Sequence, residues 1–283
     1  MKLLNLGCGT QFHPDWTNID FISTGEGVLA HNLLKGIPYP DSFFDGVYHS
    51  HLLEHFSKSD GANLINECYR VLKPNGIIRI AIPDLEQIAR NYLNNLAGAL
   101  AKDSEAALNY EWIMLEMYDQ TVRNQGGGEM ANYLFRKDIP NKSYVFNRIG
   151  DEARKLHEVY LRSTLKQTNL VKPTLKLRLK TFIHQSYKTL INKFLYPLNP
   201  QGFETLKTNR EANRIGKFRL SGEVHQWMYD RYSLSVLLNK YNFRSIKVVS
   251  AFESDLPNWE SYQLDSKEGI VRKPDSLFME ATK

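Results

Sequence analysis

The sequence predicts an α/β fold built on short parallel strands, and three stretches carry that expectation. Leu3-Leu4-Asn5-Leu6 is an apolar run that turns at once through Gly7-Cys8-Gly9. A second short strand, Trp16 to Ile19, ends in Asp20. Ile77 to Ile82 is a near-continuous apolar run leading into Pro83-Asp84, as expected for a strand covered on both faces.

In chain order, Gly7 and Gly9 allow a tight turn with no β-carbon in the way, so a ligand can lie against the main chain at the end of the first strand. In nucleotide-type folds, a carboxylate placed like Asp20 accepts hydrogen bonds from ribose hydroxyls. Val28-Leu29-Ala30 forms a third short strand, and Asn32-Leu33 follows it. Pro38 and Pro40 stiffen the next loop. Phe43 to Tyr48 then carries the chain to His49-Ser50-His51, on the same sheet edge as Gly7 and Asp20. A helix capped by Asp60 runs to Leu72, with Leu64, Ile65, Cys68 and Val71 on its apolar face, and Pro74-Asn75-Gly76 stops it. Asp84 serves either as a substrate contact or as the N-cap of the following helix.

These blocks resemble the class I S-adenosylmethionine (SAM)-dependent methyltransferases, within them the type 11-like predicted enzymes of glycan-synthesis clusters. The resemblance rests on Leu6-Gly7-Cys8-Gly9, Asn18-Ile19-Asp20, Asp45 to His55, Glu67 to Gly76 and Arg79 to Asp84. It covers residues 1–84 closely and 222–283 more loosely. It implies a Rossmann-like, doubly wound, seven-stranded sheet with a large, mainly helical insertion. It also implies S-adenosyl-L-methionine as cofactor, held by Gly7, Cys8, Gly9, Asp20, Asn32, Leu33 and Ser50. Asn32 stands where the family usually has aspartate, and its amide oxygen still accepts from an adenine amino group. The expected organisation is a cofactor-binding core over 1–84, a helical insertion or acceptor lid over 85–220, and a C-terminal part over 221–283 that completes the sheet.

Within the insertion, Leu85 to Tyr118 and Phe146 to Leu170 look helical, with a Gly126-Gly127-Gly128 turn between them. Residues 151–220 carry 15 Lys+Arg against 5 Asp+Glu, so the positive balance of the whole chain, +5, comes from this stretch. Such a block suits an anionic partner or a solvated basic face. Thr174 to Leu195 fits a basic amphipathic helix, either docked on the core or resting on an anionic membrane surface. Beyond it, Tyr232 to Tyr241 reads as a helix ended by Asn242, and Ile246 to Val249 and Leu277 to Glu280 as strands. Pro257-Asn258-Trp259 and Arg272-Lys273-Pro274 read as an exposed loop near the substrate side.

Composition excludes other classes. The two cysteines, Cys8 and Cys68, rule out a disulfide scaffold and give no metal-ligand spacing, so no metal is expected. No apolar run approaches 18 residues, and Lys2 leads directly into the first strand and its turn. A cytoplasmic protein, membrane-peripheral through residues 174–195 if that helix binds lipid, is the expectation.

Methyl transfer from SAM needs positioning more than a nucleophile. A hydroxyl acceptor also needs a general base, for which His225, His51 and Asp84 are the candidates, His225 first because Trp227 and Tyr229 beside it could line a sugar pocket. The leading expectation is O-methylation of a saccharide or glycan-linked acceptor. The alternatives are an RNA-directed methyltransferase using the basic insertion and a non-catalytic SAM-binding partner protein.

Overall fold

A computed structural model describes residues 1–168 and 200–283 of the chain. Its centre is a seven-stranded sheet in the order β3-β2-β1-β4-β5-β9-β6. The strands are β1 (Leu3–Leu6), β2 (Thr17–Asp20), β3 (Val28–Ala30), β4 (Phe44–Ser50), β5 (Leu72–Pro83), β6 (Arg244–Val249) and β9 (Ser276–Thr282). The first five run parallel, and β9 is antiparallel to both β5 and β6. A small hairpin, β7 (Ser266–Lys267) and β8 (Ile270–Val271), lies apart from the sheet.

Strand alternation divides the core into two layers. Leu4, Leu6, Val47, Ile78 and Ile80 face helices α1 (Lys58–Val71) and α8 (Arg231–Lys240), which contribute Leu64, Ile65, Cys68, Leu234 and Leu238. Ser57, not Asp60, caps α1 by accepting from the Asp60 N–H, so the helix starts earlier than expected and ends at Val71. On the opposite face Leu3, Trp16 and Tyr48 pack against Leu256, Trp259 and Leu264. Trp259, read from sequence as part of an exposed loop, is buried there. The loop over 7–16 contains no helix. Buried Asn5 and Asn18 hold it instead: Asn5 Nδ2 donates to Asn18 Oδ1 (3.1 Å) and to the Gln11 carbonyl (3.2 Å).

Arg79, expected to mark a strand end or a buried pair, is fully buried inside β5 and pairs with Asp265 (2.8 Å) and Glu280 (2.9 Å). β5 itself is longer than the apolar run that announced it.

Residues 85–219 supply α2 (Leu85–Leu100), α3 (Ser104–Val122), α4 (Gly128–Leu134), α5 (Lys142–Ile149), α6 (Asp151–Thr168) and α7 (Pro200–Arg219). The continuous helix expected from Leu85 to Tyr118 is two helices, because the chain turns at Lys102 (φ 64°) and Asp103 caps the second. Likewise Gly150 (φ 73°) separates α5 from α6. Trp112, Tyr133, Val145, Phe146 and Ile149 form a separate apolar cluster among these helices. Buried Arg148 spans from it to Glu116 (2.6 Å). The amphipathic helix expected over 174–195, and with it the membrane contact, falls outside the described residues. Among those described, no helix is long and apolar enough to cross a membrane.

Candidate active site

Two clefts open beyond the carboxyl ends of β1 and β4, where parallel α/β sheets bind ligands. The first, about 450 Å³, is floored by Gly7, Cys8 and Gly9 and flanked by Ser50 and His51 at the end of β4. Leu264, Asp265 and Arg272 wall it on one side, and Asp151, Glu152 and Lys155 of α6 on the other. The second, about 530 Å³, lies between the end of β4 and α3, α4 and α6. The two share His51, Glu152, Leu156 and Lys273.

The two glycines of the first loop have different work. Gly7 (φ +61°) is also a packing site, since a β-carbon there would lie 2.6 Å from Leu52 Cδ1. Gly9 (φ +52°) has no atom within 4 Å of such a carbon. Its backbone therefore lies open for a ligand to approach. Burial, with the Asp20 carboxylate nearby, pushes the Cys8 thiol up to about 11, so it remains protonated.

Of the other residues expected to hold cofactor, Ser50 lines the first cleft. Asp20 does not line it; its Oδ2 accepts from the Gly9 N–H at 2.7 Å, fixing the loop from behind. Asn32 accepts from the Leu34 N–H (3.0 Å), capping a short 3-10 turn, and Leu33 is buried in the core beside α1. These two sit at the sheet edge without entering the cleft lining.

Of the three candidate bases, His51 stands at the junction of the clefts. Its backbone is in the left-handed region (φ 49°), tied by its N–H to the Ala81 carbonyl (2.9 Å). Nδ1 faces Glu54 Oε1 at 3.3 Å, and Nε2 meets the Ser276 hydroxyl at 2.7 Å. His225 lies deeper in the second cleft, 4% exposed, with Nε2 3.9 Å from Glu54 Oε1. Burial drives its pKa down to about 3 against the pull of Glu54. Asp84 lines neither cleft: its carboxylate caps α2, accepting from the Glu86 and Gln87 N–H groups (3.0 and 3.2 Å).

Glu54 was not singled out as a site residue from sequence, yet three histidines surround it. Burial alone would push its carboxyl up, but the adjoining imidazoles, His51 first and then His225 and His55, outweigh that and hold it below the usual range. The segment around His225 is stitched over it, since Gln226 and Trp227 N–H groups donate to the Glu54 carbonyl (2.7 and 3.2 Å). The Gln226 amide adds a bond to the His55 carbonyl (2.9 Å). The only signal in the sequence was the spacing His51-x-x-Glu54-His55. Nothing local pointed to His225 as its partner.

A mainly parallel seven-stranded sheet with one antiparallel strand between β5 and the edge, and a glycine loop after β1, is the core of class I SAM-dependent methyltransferases. The cofactor of that class is S-adenosylmethionine, and the open backbone at Gly9 with a cleft inside the usual range of about 300–1,000 Å³ fits such a ligand.

Residues 21–80 match a family model described as a methyltransferase domain, which begins just after Asp20 and takes in β3, β4 and most of β5. Among solved structures, a SAM-dependent methyltransferase from Archaeoglobus fulgidus aligns with 13% identity over 100% of this chain and 86% of its own (TM-score 0.37). One from Thermotoga maritima aligns with 12% identity over 100% and 82% (0.37). One from Aquifex aeolicus aligns with 19% identity over 30% of this chain and 57% of its own (0.25). The fold is defined by the sheet topology itself. No curated protein matches the chain.

Proposed function

We propose that the protein transfers the methyl group of SAM to a hydroxyl of a neutral polyhydroxyl acceptor of the saccharide type. The observation that carries this reading is the meeting of the two clefts along His51, Glu152, Leu156 and Lys273, which would bring donor and acceptor together.

When bound, SAM supplies an activated sulfonium methyl, so the protein has to position, desolvate and manage one proton. The Gly7–Gly9 loop lets the donor lie close to the backbone. Helices α3, α4 and α6 cover the second cleft and exclude water from the transfer. His51 is the general base. Glu54 at Nδ1 orients its ring and stabilises the imidazolium, leaving Nε2 to accept the acceptor's proton. The Ser276 hydroxyl lies 2.7 Å from Nε2, and the acceptor hydroxyl would take its place there.

The character of the second cleft supports a neutral acceptor. Its lining carries Glu54, Glu116, Glu152, Glu223 and Asp275 against Arg123 and Lys273, an acidic surface that repels a polyphosphate backbone. The same carboxylates favour one second reading, a cationic amine acceptor. To test these, methyl-labelled SAM is incubated with the protein and with neutral glycan, amine and RNA fractions of a cell extract. Label in glycan supports the proposal, and label in amines supports the second reading. Label in RNA alone, or S-adenosylhomocysteine binding with no labelled product, refutes both. His51→Ala should slow the labelled transfer by about 10²- to 10⁴-fold.

A further inference from the structure

We propose that Glu54, His55 and His225 form a binding site for a divalent metal ion of the zinc type, on the floor of the second cleft. One nitrogen from each histidine and one carboxylate oxygen lie within 4.8 Å of one another. Glu54 Oε1 and His225 Nε2 are 3.9 Å apart. Tetrahedral zinc, with bonds of about 2.0–2.2 Å, sets its ligand atoms roughly 3.4 Å apart, so closing on an ion needs contractions of up to about 1.4 Å.

The second observation concerns unmet hydrogen bonds. Glu54 (1% exposed) has both carboxylate oxygens buried with no hydrogen-bond partner, and Nδ1 of His55 and Nδ1 of His225 are buried and unpartnered as well. Buried polar atoms are nearly always bonded, and several unsatisfied ones gathered in one small cluster are what a cation would satisfy. The scaffold holds these groups together independently of any ion. Leu53 anchors the turn bearing Glu54 and His55 in the core, and the His225 N–H is fixed to the Gln120 carbonyl (2.9 Å).

Two imidazoles and one carboxylate are a donor set that suits zinc and leaves a fourth position open. All three residues line the second cleft, so that position faces the acceptor space. There the ion takes a water or acceptor hydroxyl and lowers its pKa. His51, with Nδ1 3.3 Å from the same Glu54 Oε1, orients the carboxylate. Because Glu54 and His55 lie far from His225 in the chain, no spacing motif could reveal the site.

This inference does not depend on the methyl-transfer reading. Full-length protein, stripped with chelator and dialysed, is titrated calorimetrically with zinc sulfate and spectroscopically with Co²⁺. One equivalent of zinc per chain and the strong visible absorption of four-coordinate Co²⁺ are expected. His225→Ala and Glu54→Gln should each weaken zinc binding by at least about 100-fold, the upper range for losing a group that only supports a ligand. S-adenosylhomocysteine titration of the same samples reports folding. Should the buried substitutions abolish it, His55→Ala, at the partly exposed member, gives the same comparison. A wild type that binds S-adenosylhomocysteine but no zinc overturns the proposal. So does a folded His225→Ala or His55→Ala protein that binds zinc as tightly as wild type.

Discussion

Arg79→Met tests how the sheet face that carries Trp16, Tyr48 and Trp259 is closed. The Arg79 guanidinium donates from Nε to Asp265 (2.8 Å) and from Nη1 to Glu280 (2.9 Å) and the Glu253 carbonyl (2.7 Å). Nη2 donates to the Ser250 carbonyl (2.9 Å), and the plane rests 4.2 Å from the Trp259 ring centroid. Asp265 also accepts from the Tyr48 hydroxyl (2.6 Å). Methionine fills the stem's volume but leaves two carboxylates buried without their cation; burial already pushes the Asp265 carboxyl up against the pull of Arg79, and losing Arg79 removes that pull. Breaking a buried pair from one side costs about 3–5 kcal/mol. At about 2–4 °C per kcal/mol for a chain of this order, the midpoint should fall by roughly 6–20 °C. Because Asp265 walls the first cleft, S-adenosylhomocysteine affinity should fall as well. Thermal and urea unfolding followed by circular dichroism, with calorimetric titration of S-adenosylhomocysteine, read both. Arg79→Met/Asp265→Leu/Glu280→Leu, which removes all three charges, should recover part of the stability. A single variant within about 1 kcal/mol of wild type would refute the role given to this arginine.

Two further substitutions probe other layers. Gly9→Ala has room for its methyl group and carries only left-handed strain of about 1–2 kcal/mol, so it should unfold slightly earlier while binding S-adenosylhomocysteine markedly more weakly. Gly7→Ala, which clashes with Leu52, should lose more stability; equal cofactor affinity in Gly9→Ala and wild type would remove the loop from the site. His49, fully buried in β4 with neither ring nitrogen bonded, has its pKa driven down to about 4 by burial, against an ordinary value of 6.5. The unfolded chain therefore binds this proton first. The stability that depends on neutral His49 is complete above about pH 6.5 and declines toward pH 4, by about 3 kcal/mol in all. In His49→Leu the slope of stability against pH over that window should shrink by one proton's worth; an unchanged slope would contradict the assignment.

The parallel half of the sheet was legible because each strand there is a short buried run ending in its own punctuation: Gly7 after β1, Asp20 at the end of β2, Pro83-Asp84 at the end of β5. Periodicity also placed α1 and α8, and Asn242 (φ 64°) ends α8 as the left-handed residue the pattern called for. Periodicity could not show that the helices beyond Leu85 break at Lys102 and Gly150, since a single left-handed residue leaves the apolar spacing on either side almost unchanged.

What the sequence determined by itself was therefore local: strand ends, helix faces, and a glycine loop able to receive a ligand, each set by backbone sterics and by which residues avoid water. Tertiary structure alone decided which distant groups share a buried volume. It put Arg79 between Asp265 and Glu280, and it laid His225 over Glu54 by hydrogen-bonding residues 225–227 to the Glu54 carbonyl and to α3. Charges and polar atoms removed from water must find partners wherever the chain brings them, and nothing in their neighbours along the sequence says where that will be.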